Sequence, residues 1–275
     1  MTPSAFLRLG RVSNLPTVWT NVLCGIGLAR GTFDKGTLPL LVAFSLFYTG
    51  GMFLNDAFDR RFDAHNRPER PIPSGLASAR EVFLVGFGMV ALAIGMIAPR
   101  GLEASLLAIL LAATITVYDA WHKENKAAPF LMGLCRMLVY LAAGVASGGS
   151  MNRMLVACGL MLMAYVAGLT QGARRDSAAG RQSPWSIVFL LAPLACVAIA
   201  WTDPVVLLVG AVFVHFAGKS ILGREAPSES VGRLVAAISL VDALFLAARG
   251  ETFMAGIAVL GVPATLSLQR RISGT

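Results

Sequence analysis

The sequence predicts an all-α, multi-pass transmembrane bundle of nine to ten helices, in a single domain that spans residues 1–275. Three observations predict this fold. Of the 275 residues, 56% are hydrophobic and only 14% are charged, whereas soluble domains carry about 25% charged residues. The mean hydropathy is +0.70. Apolar segments also recur along the whole chain without a long polar interval that would mark a soluble domain.

Ten apolar segments account for the predicted helices. Several are shorter than the ~20 residues of a spanning helix, so we expect helix ends to extend into flanking polar residues. The first and ninth segments are the weakest and are candidates for tilted, re-entrant or partly interfacial helices. In chain order the segments are Leu15–Ala29, Leu38–Leu54, Val82–Ala98, Leu102–Val117, Ala127–Ser147, Leu155–Gly172, Trp185–Trp201, Pro204–Ile221, Leu234–Ala248 and Thr252–Leu268.

The basic residues predict the orientation of the bundle, because lysine and arginine accumulate in cytoplasmic loops. With ten spans, 17 of the 23 lysines and arginines fall on the side of the termini, and five fall on the other side. Both termini and the loops after segments two, four and six are therefore predicted to be cytoplasmic. The net charge of +8 lies in these short loops rather than in a stripe, which predicts membrane lipid around the chain and no nucleic-acid partner.

An acidic patch ends the second apolar segment. At about 100° per residue, its three aspartates span roughly 60° of one helix face, and an asparagine lies about 40° beyond them. These residues are Asn55, Asp56, Asp59 and Asp63. Carboxylates at this spacing repel one another and lose hydration near a membrane, so a cation should compensate them. Because Mg²⁺ commonly joins carboxylates to phosphate oxygens, we expect all four residues to bind Mg²⁺ and the three aspartates to be catalytic.

A basic stretch with several prolines follows the acidic patch and contains Arg67 and Arg70. Prolines restrict its backbone, and arginine forms strong hydrogen bonds with phosphate, so the stretch is suited to fold back over a bound anion. The alternative for an isolated acidic patch is a solvated loop with ordinary salt bridges. The combination of an apolar helix, an acidic face and a basic stretch favours an anion site.

Together, the patch and the basic stretch resemble the first signature of the UbiA-type intramembrane prenyltransferases. The matching residues are Asn55-Asp56-x-x-Asp59-x-x-x-Asp63 and then Arg67-Pro68-x-Arg70-Pro71-Ile72-Pro73-Ser74-Gly75. The resemblance covers essentially the whole chain through the order of helices and loops. It implies a helical bundle that binds a prenyl diphosphate through Mg²⁺. Members typically have nine helices, so a tenth apolar segment is a departure.

A second polar cluster follows the fourth segment, where the family usually has a tyrosine and basic residues that face the diphosphate. The resemblance implies this role for Tyr118, Lys123 and Lys126. The alternative is an interfacial segment, with aromatic anchors and with lysines among the lipid headgroups.

Arg136 lies within the apolar fifth segment. An intramembrane arginine is costly, so a functional role is the default, and we expect it to bind diphosphate. A structural pair with Asp119 or another acid is the alternative. Polar residues of the first segment, including Thr17 and Asn21, are suited to line an acceptor pocket or to form hydrogen bonds between helices.

The third cluster contains Arg174, Arg175 and Asp176, after the sixth segment. Many family members have a second acidic motif there, so this chain resembles a subgroup in which that motif is reduced. We expect the two arginines to bind diphosphate and Asp176 to be a metal ligand. The alternative is a basic cytoplasmic loop without a catalytic role.

The resemblance implies magnesium-dependent transfer of a prenyl group from a prenyl diphosphate to an aromatic or other lipophilic acceptor. Metal and arginine contacts would stabilise the charge on the departing diphosphate. A CDP-alcohol phosphotransferase is the competing enzyme class, but the sequence lacks its DGxxAR signature. A transporter or lipid binder that holds an ion without turnover is the non-catalytic alternative, although no inverted repeat is evident.

Overall fold

The structure is a computed structural model that describes residues 1–123, 125–175, 184–222 and 227–272. Within these ranges every regular element is helical. The helices are α1 (Pro3–Leu9), α2 (Leu15–Ala29), α3 (Thr37–Asn66), α4 (Ala79–Ile97), α5 (Leu102–Trp121), α6 (Ala128–Ala146), α7 (Arg153–Arg175), α8 (Pro184–Leu191), α9 (Ala195–Ile199), α10 (Pro204–Leu222), α11 (Pro227–Ala236), α12 (Ile238–Ala248) and α13 (Thr252–Gln269). Short 3₁₀ turns cover Val12–Asn14, Ala98–Arg100 and Ala192–Leu194.

Eight helical stretches among the described residues are long and apolar enough to cross a bilayer. All ten apolar segments of the sequence are mainly helical, which confirms the prediction of an all-α membrane bundle. The eight stretches are Thr37–Asn66, Ala79–Arg100, Leu102–Trp121, Ala128–Ala146, Arg153–Ala173, Pro204–Ile221, Glu229–Ala248 and Thr252–Gln269.

Three segments depart from simple spans. The first forms α2, which has only 15 residues. The seventh is divided into α8 and α9 by a 3₁₀ turn that contains Pro193, because proline cannot continue a regular helix hydrogen-bond pattern. The ninth segment extends back to Glu229 and is divided into α11 and α12 at Ala237. Its stretch is the most buried of the eight, at 78%.

Helix α2 lies in the interior of the bundle, where it packs against α3, α6, α12 and α13. Glycine permits the close approach of α2 to α6. A Cβ atom on Gly25 would lie 2.9 Å from the Cα atom of Tyr140 in α6, so only glycine fits between the two backbones. Helix α6 in turn packs along α5 and α7. This arrangement places α2, α3, α5 and α6 around a common interior space.

Helix α3 is unusually long, with 30 residues. At 1.5 Å per residue it extends about 45 Å, well beyond the ~30 Å hydrocarbon thickness of a bilayer. Its apolar first part therefore accounts for the span. Its last turns carry the acidic patch and extend beyond that thickness.

Candidate active site

The acidic patch forms one buried face at the end of α3. The side chains on this face are Asn55, Asp56, Asp59 and Asp63, and all four residues are buried, with Asp63 only 1% exposed. Buried carboxylates require charged or hydrogen-bonding partners. The structure supplies these partners from three places: the turn before α2, the stretch after α3, and the end of α5.

The basic stretch after α3 folds back onto the acidic face. Its turn begins with a hydrogen bond from the backbone N–H of Arg67 to the backbone oxygen of Asp63, at 2.8 Å. Arg70 then bridges two carboxylates through Nη1, which lies 3.1 Å from Asp56 Oδ1 and 2.8 Å from Asp63 Oδ2. The guanidinium thereby holds together two acids that would otherwise repel each other.

Arg11 provides a second cation from the N-terminal region. It adopts a left-handed backbone conformation, with φ of 42°, at the turn that leads into α2. Its Nη2 lies 3.2 Å from Asp56 Oδ1 and 3.4 Å from Asn55 Oδ1. Burial alone would lower the pKa of Arg11, but Asp56, with smaller contributions from Tyr48, Tyr118 and Asp119, outweighs this effect, and the pKa is raised. Arg11 was not among the predicted site residues.

Asp59 faces the end of α5, where the second polar cluster lies. Lys123 Nζ is 2.9 Å from Asp59 Oδ1, and His122 Nε2 is 3.5 Å from Asp59 Oδ2. The ring of His122 stacks on Tyr118, with centroids 5.0 Å apart. Lys123 and Tyr118 therefore lie beside the acidic face, whereas Lys126 is exposed to solvent.

Asp119 joins the acidic face from α5 and was also missed as a site residue. Asn55 Nδ2 donates to Asp119 Oδ1 at 3.0 Å. The other oxygen, Oδ2, is buried and has no hydrogen-bond partner, and the same holds for Asp63 Oδ1. The sequence could have indicated Asp119 as a site residue, because it is an acid at the end of an apolar helix, directly after Tyr118.

An apolar cavity extends from the acidic face into the bundle. Tyr118 and Asp119 lie on its wall, and most of the remaining lining is aliphatic or aromatic. Its other lining residues are Val18, Phe44, Phe47, Tyr48, Gly51, Met52, Leu111, Ile115, Met132, Cys135, Arg136 and Val139. A charged group at one end and an apolar interior together suit an amphiphilic ligand.

The side chains of Arg67 and Arg136 do not meet the carboxylates of the acidic face. Arg67 is exposed, and Arg136 contacts α2 rather than the aspartates. The side chains of Arg174 and Arg175, and the whole of Asp176, lie outside the described residues. Among the described residues, no three Asp, Glu, His or Cys side chains form a ready metal-binding group, and Arg70 lies between Asp56 and Asp63.

The model of the UbiA prenyltransferase family matches residues 17–223. The chain belongs to this family. Archaeal relatives named digeranylgeranylglyceryl phosphate synthase are similar to it. The relative from Methanopyrus kandleri is 30% identical over 178 residues, or 62% of each chain. The relative from Methanoculleus marisnigri is 34% identical over 159 residues, which are 54% of this chain and 53% of that protein. The match thus spans less than two thirds of these UbiA relatives.

Solved UbiA structures share the fold over nearly the whole chain. A digeranylgeranylglyceryl phosphate synthase superposes with a TM-score of 0.62 at 20% identity, and covers 93% of this chain and 98% of its own. A UbiA homologue from Archaeoglobus fulgidus, bound to GPP and Mg²⁺, gives 0.55 at 15% identity, with 96% and 99% covered. At these identities the likeness shows the fold. The family match confirms the UbiA resemblance seen in the sequence.

Proposed function

We propose that this chain transfers a prenyl group from a prenyl diphosphate to a lipophilic acceptor, with Mg²⁺ as cofactor. The observation that supports this most is the boundary between the two parts of the site. Carboxylates and basic side chains cluster at the end of α3, and the apolar cavity begins next to them at Tyr118 and Asp119. A prenyl diphosphate has the same division, with an anionic head and a hydrocarbon tail.

The acidic face fits a hard divalent cation. Its ligands are carboxylate and amide oxygens, which suit Mg²⁺. Two buried carboxylate oxygens, Asp63 Oδ1 and Asp119 Oδ2, have no hydrogen-bond partner, and a buried charged oxygen without a partner is costly. We propose that Asp56, Asp59 and Asp63 hold the ion, with Asn55 beside them and Asp119 as an additional ligand.

The basic side chains have a second role in this proposal. Arg70, Arg11 and Lys123 compensate the aspartates in the structure. When bound, Mg²⁺ would neutralise the aspartates and stabilise the charge on the diphosphate. The same basic side chains are then placed to donate to phosphate oxygens. We propose that further basic residues add positive charge near the acidic face, and that Asp176 is a further metal ligand. These basic residues are Arg67, Lys126, Arg174 and Arg175.

The reaction needs no protein nucleophile. The allylic carbon–oxygen bond breaks, and its electron pair leaves with the diphosphate. The acceptor then supplies the electron pair of the new bond to carbon and loses a proton. Arginine and lysine contacts that strengthen as charge develops on the diphosphate lower the barrier. The apolar cavity excludes water, which would otherwise capture the allylic cation.

The acceptor is proposed to be lipophilic, and two chemical classes are worth testing. Family resemblance suggests an aromatic acceptor. The archaeal relatives are named for digeranylgeranylglyceryl phosphate, which suggests transfer to the hydroxyl group of a prenylated glyceryl phosphate. The acidic face and the basic side chains around it form the head site, which is named for the diphosphate head of the donor. The head site and both termini are proposed to face the cytoplasm, on the basis of the uneven distribution of lysine and arginine.

A transfer assay tests the proposed function. Purified protein in liposomes would receive a radiolabelled prenyl diphosphate, each acceptor in turn, and either Mg²⁺ or EDTA. We expect labelled lipid product and free diphosphate only with Mg²⁺. Product from a CDP-alcohol in place of the prenyl diphosphate would instead support a phosphotransferase. Binding of the donor without any product under all conditions would support a non-catalytic lipid binder.

A further inference from the structure

Arg136 places a permanent cation deep in the apolar cavity. It is eight residues into α6, which is about 12 Å from the start of that helix. Tyr48 lies at a matching depth, eight residues before Asp56 in α3, and the Arg136 guanidinium is 5.6 Å from the centre of its ring. Tyr48 and Asp56 are therefore about 12 Å apart along the axis of α3, which places the Arg136 guanidinium deeper in the cavity than the aspartates.

Helix α2 holds the guanidinium in a fixed orientation. Nη1 donates to Asn21 Oδ1 at 2.7 Å and to the backbone oxygen of Thr17 at 3.4 Å, and Nη2 donates to Thr17 Oγ1 at 3.1 Å. These acceptors are all uncharged. Arginine has five N–H groups, and the three contacts use only part of them.

A buried carboxylate supports this arrangement from behind. Asn21 Nδ2 donates to both oxygens of Asp242 at 2.9 Å, and Tyr140 donates to the same carboxylate. Asp242 is 0% exposed. It therefore orients the Asn21 amide so that its oxygen points to Arg136. The Asp242 carboxylate therefore acts on the guanidinium through Asn21 rather than by direct contact, an arrangement that we call a relay.

This relay differs from a structural salt bridge. A buried arginine that serves only packing is normally paired directly with a carboxylate. Arg136 has instead a neutral set of acceptors on the α2 side, and it also lines the cavity. A hydrocarbon tail gains nothing from a cation at that depth. A guanidinium at this place in the cavity fits a second ligand that carries its own anionic oxygen.

We propose that Arg136 binds an oxyanion of the acceptor, a carboxylate or a phosphate, and thereby selects anionic acceptors. This inference rests on the proposed prenyl transfer, because it assigns the acceptor end of the same cavity. The acceptor would lie between Arg136 and the head site, with its reacting atom towards Asp119 and its oxyanion several bonds away. Asp242, Asn21 and Tyr140 are positioning residues that hold Arg136 for this contact.

Matched acceptor pairs provide the test. One pair is a hydroxyaryl carboxylate and its methyl ester, and the other is a prenylated glyceryl phosphate and the corresponding prenylated glycerol. We expect wild-type protein to prefer the anionic member of one pair by about tenfold or more in kcat/KM. Arg136→Gln should raise the KM for that acceptor and reduce the preference to about threefold or less. The KM for the donor should not change. Arg136→Lys should restore part of the preference, and Arg153→Gln, at the exposed start of α7, should keep all of it.

Three results would overturn the assignment. Wild-type protein could use both members of each pair equally, or Arg136→Gln could keep the wild-type preference. Arg136→Gln could also lose kcat/KM equally with every acceptor and have a lower melting temperature. The last result would indicate a purely structural arginine. If wild-type protein transfers to no acceptor, the proposed function fails. Equilibrium binding of the same four compounds to wild-type and Arg136→Gln protein then still decides whether Arg136 recognises the oxyanion.

Discussion

Arg70→Gln tests how the protein compensates the acidic face. Arg70 bridges Asp56 and Asp63 through one nitrogen, so its removal leaves buried carboxylates without that cation. Removing one partner of a buried pair costs about 3–5 kcal/mol. Asp56 keeps its contact with Arg11, and Arg70 is 14% exposed, so we expect a loss near the lower limit, about 3 kcal/mol in the free energy of unfolding.

Magnesium should reverse most of this loss. A ligand that binds only the folded state at 100 times its Kd adds about 2.7 kcal/mol of stability, which is close to the expected cost. Because Arg70 no longer occupies the carboxylates, the variant should gain more from Mg²⁺ than wild-type protein does. Its affinity for prenyl diphosphate should nevertheless fall, since one phosphate donor is missing.

The measurement is denaturant unfolding of purified protein in detergent micelles, with EDTA and with saturating MgCl₂. Arg153→Gln is the control, because it removes one arginine from an exposed position far along the chain. The reasoning is refuted if Arg70→Gln is as stable as wild-type protein in EDTA. It is also refuted if Mg²⁺ stabilises both proteins by the same amount.

Three further predictions follow from the structure. Asp56→Asn should lower magnesium-dependent turnover by about 100-fold or more, while membrane insertion stays normal; unchanged turnover by correctly inserted variant would contradict its role. Gly25→Ala should lower the free energy of unfolding by about 1–3 kcal/mol, because the added methyl group overpacks the α2–α6 contact. Gly95→Ala is the control and should not lower it, because no atom lies within 4 Å of the new Cβ. Equal effects of the two substitutions would contradict the packing argument. A membrane-impermeant thiol reagent should label Arg67→Cys and Lys126→Cys only from the cytoplasmic side; labelling from the opposite side would reverse the proposed orientation.

Local sequence patterns were sufficient to predict the helices and the acidic face. Hydrophobic segments located the spans, and helical periodicity placed Asn55, Asp56, Asp59 and Asp63 together. The return of Arg70 was also predictable, because it lies only seven residues after Asp63. These features depend on residues that are close in sequence.

Contacts between distant helices were not predictable in the same way. Arg11 meets Asp56 across 45 residues, and Asn21 meets Asp242 across 221 residues. No periodicity encodes such pairings, which depend on how α2 packs within the bundle. Asp242 could still have been noticed, because a lone acid within an apolar segment marks a functional or structural partner. The depth of Arg136 relative to the head site also required the packed structure.

We propose that the end of α3 binds the diphosphate head with Mg²⁺. The most direct test is equilibrium binding of a prenyl thiolodiphosphate, whose carbon–sulfur bond resists cleavage, to wild-type, Asp63→Asn and Arg153→Gln proteins. We predict tight binding to wild-type and Arg153→Gln proteins only with Mg²⁺, and at least about tenfold weaker binding to Asp63→Asn. Binding that is independent of Mg²⁺, or equal in all three folded proteins, would contradict the claim and place the head site elsewhere.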